Sequence, residues 1–373
     1  MKDRGLYIHI PFCAAKCAYC DFYSLPSSSL HERYVGALCK SGEILSEKYS
    51  DTVFSSVYIG GGTPSILSAE LLEKLLGSVK KNFTLSKDVE FTLEANPATL
   101  DEKKMEAIVG GGVNRMSFGC QSANEDELKK LGRLHGFESF KESFSLARRY
   151  GINNVSADLM YGIPLQSISS LLFSINAVAE LTPDHISLYG LRVEENTPFG
   201  RDKDLVLPSD DTQCEMYLRA VETIRKLGYE RYEISNFARS GKYSRHNMRY
   251  WECSEYLGLG AAAHSYIDGR RFAFERSATA YIDALESGKM PTPCESEHLS
   301  KSDELYEYVM LSLRLEKGIS LSELSRRFGA RASRTLIEKS LPYHGKFMVF
   351  DGECLHFTSD GFLVSNTILS EII

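Results

Sequence analysis

Short runs rich in β-branched and aromatic residues recur at 6–10, 56–60, 89–94, 113–118, 153–158 and 185–190, separated by longer segments of helical period. This rhythm predicts six βα units. Units of that kind build an α/β fold, here an open, partial (β/α)6 barrel, and gather their functional groups at the C-terminal ends of the strands. From about residue 298 the pattern changes. Residues 305–315 predict an amphipathic helix, 318–329 a capped short helix ending at a glycine, and 355–364 a strand and turn, together a small α+β unit. The expected division is therefore 1–240 for the barrel, 241–297 for a connection and 298–373 for a C-terminal domain. No internal repeat interrupts it, and Ser27-Ser28-Ser29 is expected to be a loop.

Composition narrows the function classes. The 373 residues carry 43 basic and 50 acidic side chains, a formal charge of -7, which argues against nucleic acid as the main partner. Arg326, Arg327, Arg331 and Arg334 form a basic group, but Glu316, Glu323 and Glu338 nearby dilute its field. Nine cysteines accompany an N-terminal run that leads straight into a strand pattern rather than an apolar signal segment, so a cytoplasmic protein with reduced thiols is expected. No run of about 18 apolar residues is present to span a bilayer. Peripheral membrane contact stays open.

The first strand pattern leads into Cys13, Cys17 and Cys20, spaced CxxxCxxC within Leu-Tyr-Ile-His-Ile-Pro-Phe-Cys-Ala-Ala-Lys-Cys-Ala-Tyr-Cys-Asp-Phe-Tyr. Three thiolates on one short loop are a ligand set. Structural zinc takes four protein ligands, whereas an iron-sulfur cubane held by three leaves one iron open to an exchangeable molecule. Buried or disulfide cysteines are the alternative, and the spacing favours a loop wrapped around a cluster.

This loop resembles that of the radical S-adenosylmethionine (SAM) superfamily, and its surroundings resemble the oxygen-independent coproporphyrinogen III oxidases and their HemW relatives. The resemblance implies a 4Fe-4S cluster on Cys13, Cys17 and Cys20, with SAM on the fourth iron, where its reductive cleavage yields a 5'-deoxyadenosyl radical. It also implies a SAM site that includes Tyr7 and Tyr19, and a winged-helix-like C-terminal domain acting as a lid.

The remaining landmarks fall where the strands should end. Gly60-Gly61-Gly62-Thr63 follows the second strand and lets a ligand reach the backbone, although a tight turn explains glycines equally well. The resemblance makes Gly61, Gly62 and Thr63 SAM contacts. Glu94 could accept hydrogen bonds from ribose or ammonium, or be a solvated loop acid. Gln121 and Arg133, twelve residues apart, and Asp158 match further SAM-pocket positions. An amide suits ribose, a guanidinium clamps a carboxylate, and a carboxylate takes N–H or O–H donors, yet each also has an ordinary reading as a salt bridge or cap. Cys120, with no partner at ligand spacing, is expected to be a small buried hydrophobe.

Two departures separate the chain from the oxidases, whose loop continues as CxxxCxxCxC and which carry an N-terminal extension around the porphyrin. Here Phe22 occupies the fourth cysteine position, and six residues precede Tyr7. Both features resemble HemW, the heme-chaperone branch, as does His246-Asn247-Met248-Arg249-Tyr250-Trp251, which matches an HNxxYW motif. On that resemblance His246 would ligate heme, with Tyr250 and Trp251 as porphyrin walls. A histidine beside aromatics is otherwise a packed structural residue. Leu257 to Ser265 is rich in small residues; the resemblance places His264 near the adenine, and a tight loop is the plain alternative.

The expectation is a cluster-binding and SAM-binding heme chaperone that delivers heme to an acceptor protein, one of the respiratory chain being a candidate, with a homodimer left open. The alternative is an oxygen-independent coproporphyrinogen III oxidase that forms protoporphyrinogen IX by radical decarboxylation. A radical SAM methyltransferase that opens heme is a third reading, in which heme is consumed rather than held.

Overall fold

The computed structural model of the protein describes residues 1–26 and 28–373; Ser27, the first residue of the serine loop, lies outside the described residues. Six parallel strands stand side by side in chain order: β1 (Lys2–Ile10), β2 (Thr52–Gly61), β3 (Leu85–Ala95), β4 (Arg115–Gln121), β5 (Val155–Tyr161) and β6 (His185–Gly190). Parallel neighbours need crossovers, and helices supply them. The helix Ala69–Asn82 shows why these segments pack: Leu72, Leu75, Leu76 and Val79 fall on one face and are all buried. Ser68 caps its first turn by accepting from the Leu71 N–H, and Asp101 and Ser167 begin the helices Glu102–Gly110 and Ile168–Glu180 in the same way.

The sheet continues beyond these six strands on both edges. Next to β6 lie β7 (Glu230–Arg231) and β8 (Asn236–Ala238), with β8 antiparallel to β6. Next to β1 lie β9 (Tyr256–Leu259), β10 (His264–Ile267), β11 (Arg270–Ala273) and β12 (Glu295–His298), giving the order β12-β11-β10-β9-β1-β2-β3-β4-β5-β6-β8-β7. The small-residue stretch 257–265, for which a tight loop was one expectation, is the end of β9, a turn at 260–263 and the start of β10. Glycine serves close approach there, since a Cβ on Gly258 would lie 2.1 Å from the His264 carbonyl oxygen.

The helix Arg245–Trp251 packs against the N-terminal halves of β1 to β3. The Glu90 carboxylate in β3 accepts from the Arg245 and His246 N–H groups, both at 3.0 Å, while Ser244 caps the same helix through the Asn247 N–H. Arg249 donates to Ser56 and pairs with Asp3 at 2.7 Å.

The C-terminal unit combines helices Lys301–Ser312, Leu321–Phe328 and Ala330–Ser340 with a small sheet ordered β13 (Ile319–Ser320), β15 (Cys354–Phe357), β14 (Met348–Phe350). Within 355–364, expected as a strand and turn, the strand is followed by the helix Ser359–Leu363, begun by Thr358 accepting from the Gly361 N–H. A second helix, Ser365–Ile372, follows it. The unit joins the barrel at the β7–β8 edge: Glu316 N–H donates to the Tyr232 carbonyl, Ile234 N–H to that of Arg314, and the Glu316 carboxylate binds Arg225 and buried Arg231.

Candidate functional site

Two adjoining clefts open around the cysteine loop. The narrower, of ≈ 450 Å³, is lined by all three cysteines, by Tyr19, Gly61, Gly62, Thr63, Glu94, Gln121, Arg133 and Asp158, and by groups from below including Arg115 and Asn247. Residues more than a hundred positions apart thus meet because β1 to β5 end side by side. Tyr7 and His264, expected with the same set, line instead the wider neighbouring cleft of ≈ 760 Å³, together with Tyr250; Tyr19, Cys20, Phe22 and Arg192 border both. No residue beyond Glu295 lines either cleft, so the C-terminal unit does not cover them in this conformation.

The cysteine loop is fastened at its ends. Cys13 N–H donates to the Leu25 carbonyl at 3.2 Å, and Ala18 N–H to that of Leu131 at 3.0 Å. Cys13 Sγ lies 3.5 Å from Thr63 Oγ1, and Arg133 Nη1 donates to Cys17 Sγ at 3.4 Å. All three thiols are partly accessible. Among the described residues no three His, Cys, Asp or Glu side chains converge on a single-ion site.

Around the loop the cleft offers both charges. The Arg133 Nη2 donates to the Gly119 carbonyl at 2.7 Å and Asn96 Oδ1 at 3.2 Å, leaving its buried Nε without a partner among the described residues. A carboxylate reaching Arg133 would find that donor free. Gln121 is aimed into the cleft by a register shift in β4 between Gly119 and Gln121, and it carries a φ of 70°, a strained value for a side-chain-bearing residue. A Cβ on Gly119 would come within 2.9 Å of the Gln121 amide and 3.0 Å of Arg133, so only glycine leaves both side chains their positions.

Glu94 receives Tyr58 Oη at 2.6 Å and the Gly61 N–H at 3.1 Å. Burial outweighs these donors and pushes its carboxyl up to about 7. Asp158 accepts from Ser187 at 2.7 Å and Ser117 at 3.2 Å and is likewise raised by burial. Beneath them Arg115 is 2 % exposed, and its Nε and Nη1 have no partner among the described residues. The sequence gives no sign of this arginine's role, because its strand position reads like any other; only the three-dimensional surroundings reveal two donors aimed at a polar lumen. Cys120 is fully buried, apart from the cluster loop's thiols.

His246, for which heme ligation was one expectation and a packed structural role the other, lies inside the fold. It is 0 % exposed, its Nδ1 lies 3.0 Å from Ser56 Oγ and its Nε2 2.9 Å from Tyr250 Oη. Both nitrogens are engaged, and burial lowers its pKa to about 3. The motif helix touches both clefts around it, Asn247 reaching the narrower and Tyr250 the wider. Trp251, half-buried, lines neither.

The profile of the Radical SAM superfamily matches residues 7–176, and that of the HemN C-terminal domain matches residues 299–364. The Heme chaperone HemW of Bacillus subtilis (strain 168) is 34% identical over 386 aligned positions, covering 99% of this chain and 99% of its own. That of Escherichia coli (strain K12) is 38% identical over 327, with 84% of this chain and 83% of its own covered. The chain belongs to the HemW family. A solved structure of the coproporphyrinogen III oxidase HemN from Escherichia coli superposes on 100% of this chain and 90% of its own with a TM-score of 0.86, at 22% identity. The chain thus shares the fold of that oxidase: an open mixed α/β sheet carrying a radical SAM domain, followed by a C-terminal domain. No helix among the described residues is long and apolar enough to cross a membrane.

Proposed function

We propose that the protein is a heme chaperone that carries a 4Fe-4S cluster on Cys13, Cys17 and Cys20, binds SAM beside it, and passes heme to an acceptor protein. The observation that carries this reading is the full-length similarity to heme chaperones, to which the clefts around the cysteine loop give a physical form. When bound, the cluster supplies one electron and an open iron. The chain's own residues then divide the work. Arg133 offers its free Nε to a carboxylate and donates to a cysteine sulfur. Glu94, with its carboxyl pushed up to about 7 by burial, can donate to or accept from a ribose hydroxyl and accept from an ammonium. Gly61 and Gly62 line the narrower cleft, where their backbone can meet the polar end of a ligand, and glycine at 62 also lets the chain pass close to Phe12, whose carbonyl a Cβ would meet at 2.6 Å.

The oxidase fold supports a second reading, radical decarboxylation of coproporphyrinogen III. Against it stands Phe22, 68% exposed where the oxidases place a fourth cysteine. The two readings separate in one anaerobic assay with SAM, dithionite and coproporphyrinogen III. The expected result is no protoporphyrinogen IX above the Cys17→Ala background; turnover dependent on Cys17 would make the protein an oxidase.

A further inference from the structure

The wider cleft contains groups that no other part of the site uses. Its ≈ 760 Å³ falls within the range of pockets that enclose a cofactor-sized ligand. His264, the first residue of β10, is exposed on its wall, and its imidazole makes no hydrogen bond to a described residue. Directly across the ladder stands Ala273, which in turn faces Glu295. Opposed residues share a face of the sheet, so the small Ala273 leaves the imidazole standing over open space.

Arg276 borders the same cleft. Its Nη2 donates to the backbone carbonyl of Asp21 at 2.9 Å, with no carboxylate at ion-pair distance among the described residues. Arg192 stands at the junction of the clefts, its side chain 85% exposed and paired with Glu194 at 2.8 Å. Phe22 presents an exposed phenyl ring at that junction. A guest that uses all of these groups is flat and aromatic, carries carboxylates on its edge, and has a metal able to accept an imidazole lone pair.

We propose that this cleft is the heme seat, with His264 as an axial ligand, Arg276 facing a propionate and Phe22 lying against the macrocycle. This rests on the heme-binding reading above and relocates its ligand. The His264 nitrogen donates its lone pair to the ferric iron and displaces the water or chloride held there; no electron is transferred. Arg192 would exchange Glu194 for the second propionate. His246 offers no comparable lone pair, since Ser56 and Tyr250 hold both of its nitrogens.

Hemin titration of the anaerobically reconstituted wild type, His264→Gly and Arg276→Glu, read by Soret absorbance and electron paramagnetic resonance, tests this. The wild type is expected to show an imidazole-ligated spectrum. His264→Gly should lose it and regain it when free imidazole fills the vacated space, an effect that a merely structural residue would not give. Arg276→Glu should weaken binding by about tenfold or more, the scale of a lost charge-assisted contact. A wild type that binds heme while His264→Gly keeps an unchanged spectrum would overturn this seat and leave heme binding standing. A wild type that binds no heme would overturn the heme-binding reading, and the seat with it.

Discussion

His246 illustrates how strongly single residues here depend on burial. Its folded pKa of about 3 lies below the ordinary histidine value of about 6.5, so the unfolded chain takes up the proton first as pH falls. The stability that His246 contributes is present above pH 6.5 and is lost progressively toward pH 3, at up to about 1.4 kcal/mol per pH unit. Urea midpoints of the apoprotein at pH 7 and 5.5 should therefore fall more steeply for wild type than for His246→Gln; equal slopes would show that the imidazole is not held neutral. Arg133 gives a second expectation at this scale. Because it reaches both a cysteine sulfur and open cleft, Arg133→Leu should, on the proposed reading, retain cluster iron and sulfide, which three cysteines would still hold, but weaken SAM binding by about tenfold or more, measured by equilibrium dialysis. That the cysteines, Glu94, Gln121, Arg133 and Asp158 gather on one cleft was legible in the sequence, because most of them follow strand patterns and the family resemblance marks their positions. Arg115 and the hydrogen bonds of His246 were not, since both depend on neighbours far away in the chain.

At the scale of elements, the helix Arg245–Trp251 depends on a cap from another strand. Glu90, 6% exposed, satisfies two N–H groups at the positive end of that helix. Glu90→Ala should cost about 1–3 kcal/mol in urea unfolding, and Trp251, the chain's sole tryptophan, reports the loss by fluorescence. A change below about 0.3 kcal/mol would contradict the cap, since even a weak one contributes more. The six core strands were readable because each presents a sustained apolar run. β9 to β12 were not: each has four residues, too few to establish a two-residue period, and they are held by neighbours rather than by intrinsic pattern. In the C-terminal unit a helix replaced the expected turn because a single threonine cap was enough to start it.

For the molecule as a whole, the C-terminal unit lines neither cleft; Glu316 ties it to the β7–β8 edge by binding Arg225 and Arg231, and Glu307 ties it to β11 through Arg271. Glu316→Ala leaves the buried Arg231 without its carboxylate, so hydrogen exchange should accelerate at the β7–β8 edge and in the backbone around residue 316 while the β1–β5 core stays protected. Unchanged exchange at that edge would mean that the backbone bonds suffice. The cysteine loop and both clefts, by contrast, sit together at one mouth of the barrel, so on the proposed reading cluster state and cargo would influence one another through shared walls at Tyr19, Cys20 and Phe22. The most direct test of the chaperone account is to add hemin to the anaerobically reconstituted protein, remove the excess by gel filtration and record the Soret band of the eluted chain. The account expects close to one heme per chain to co-elute. A protein that elutes free of heme, with its cluster intact, would contradict it.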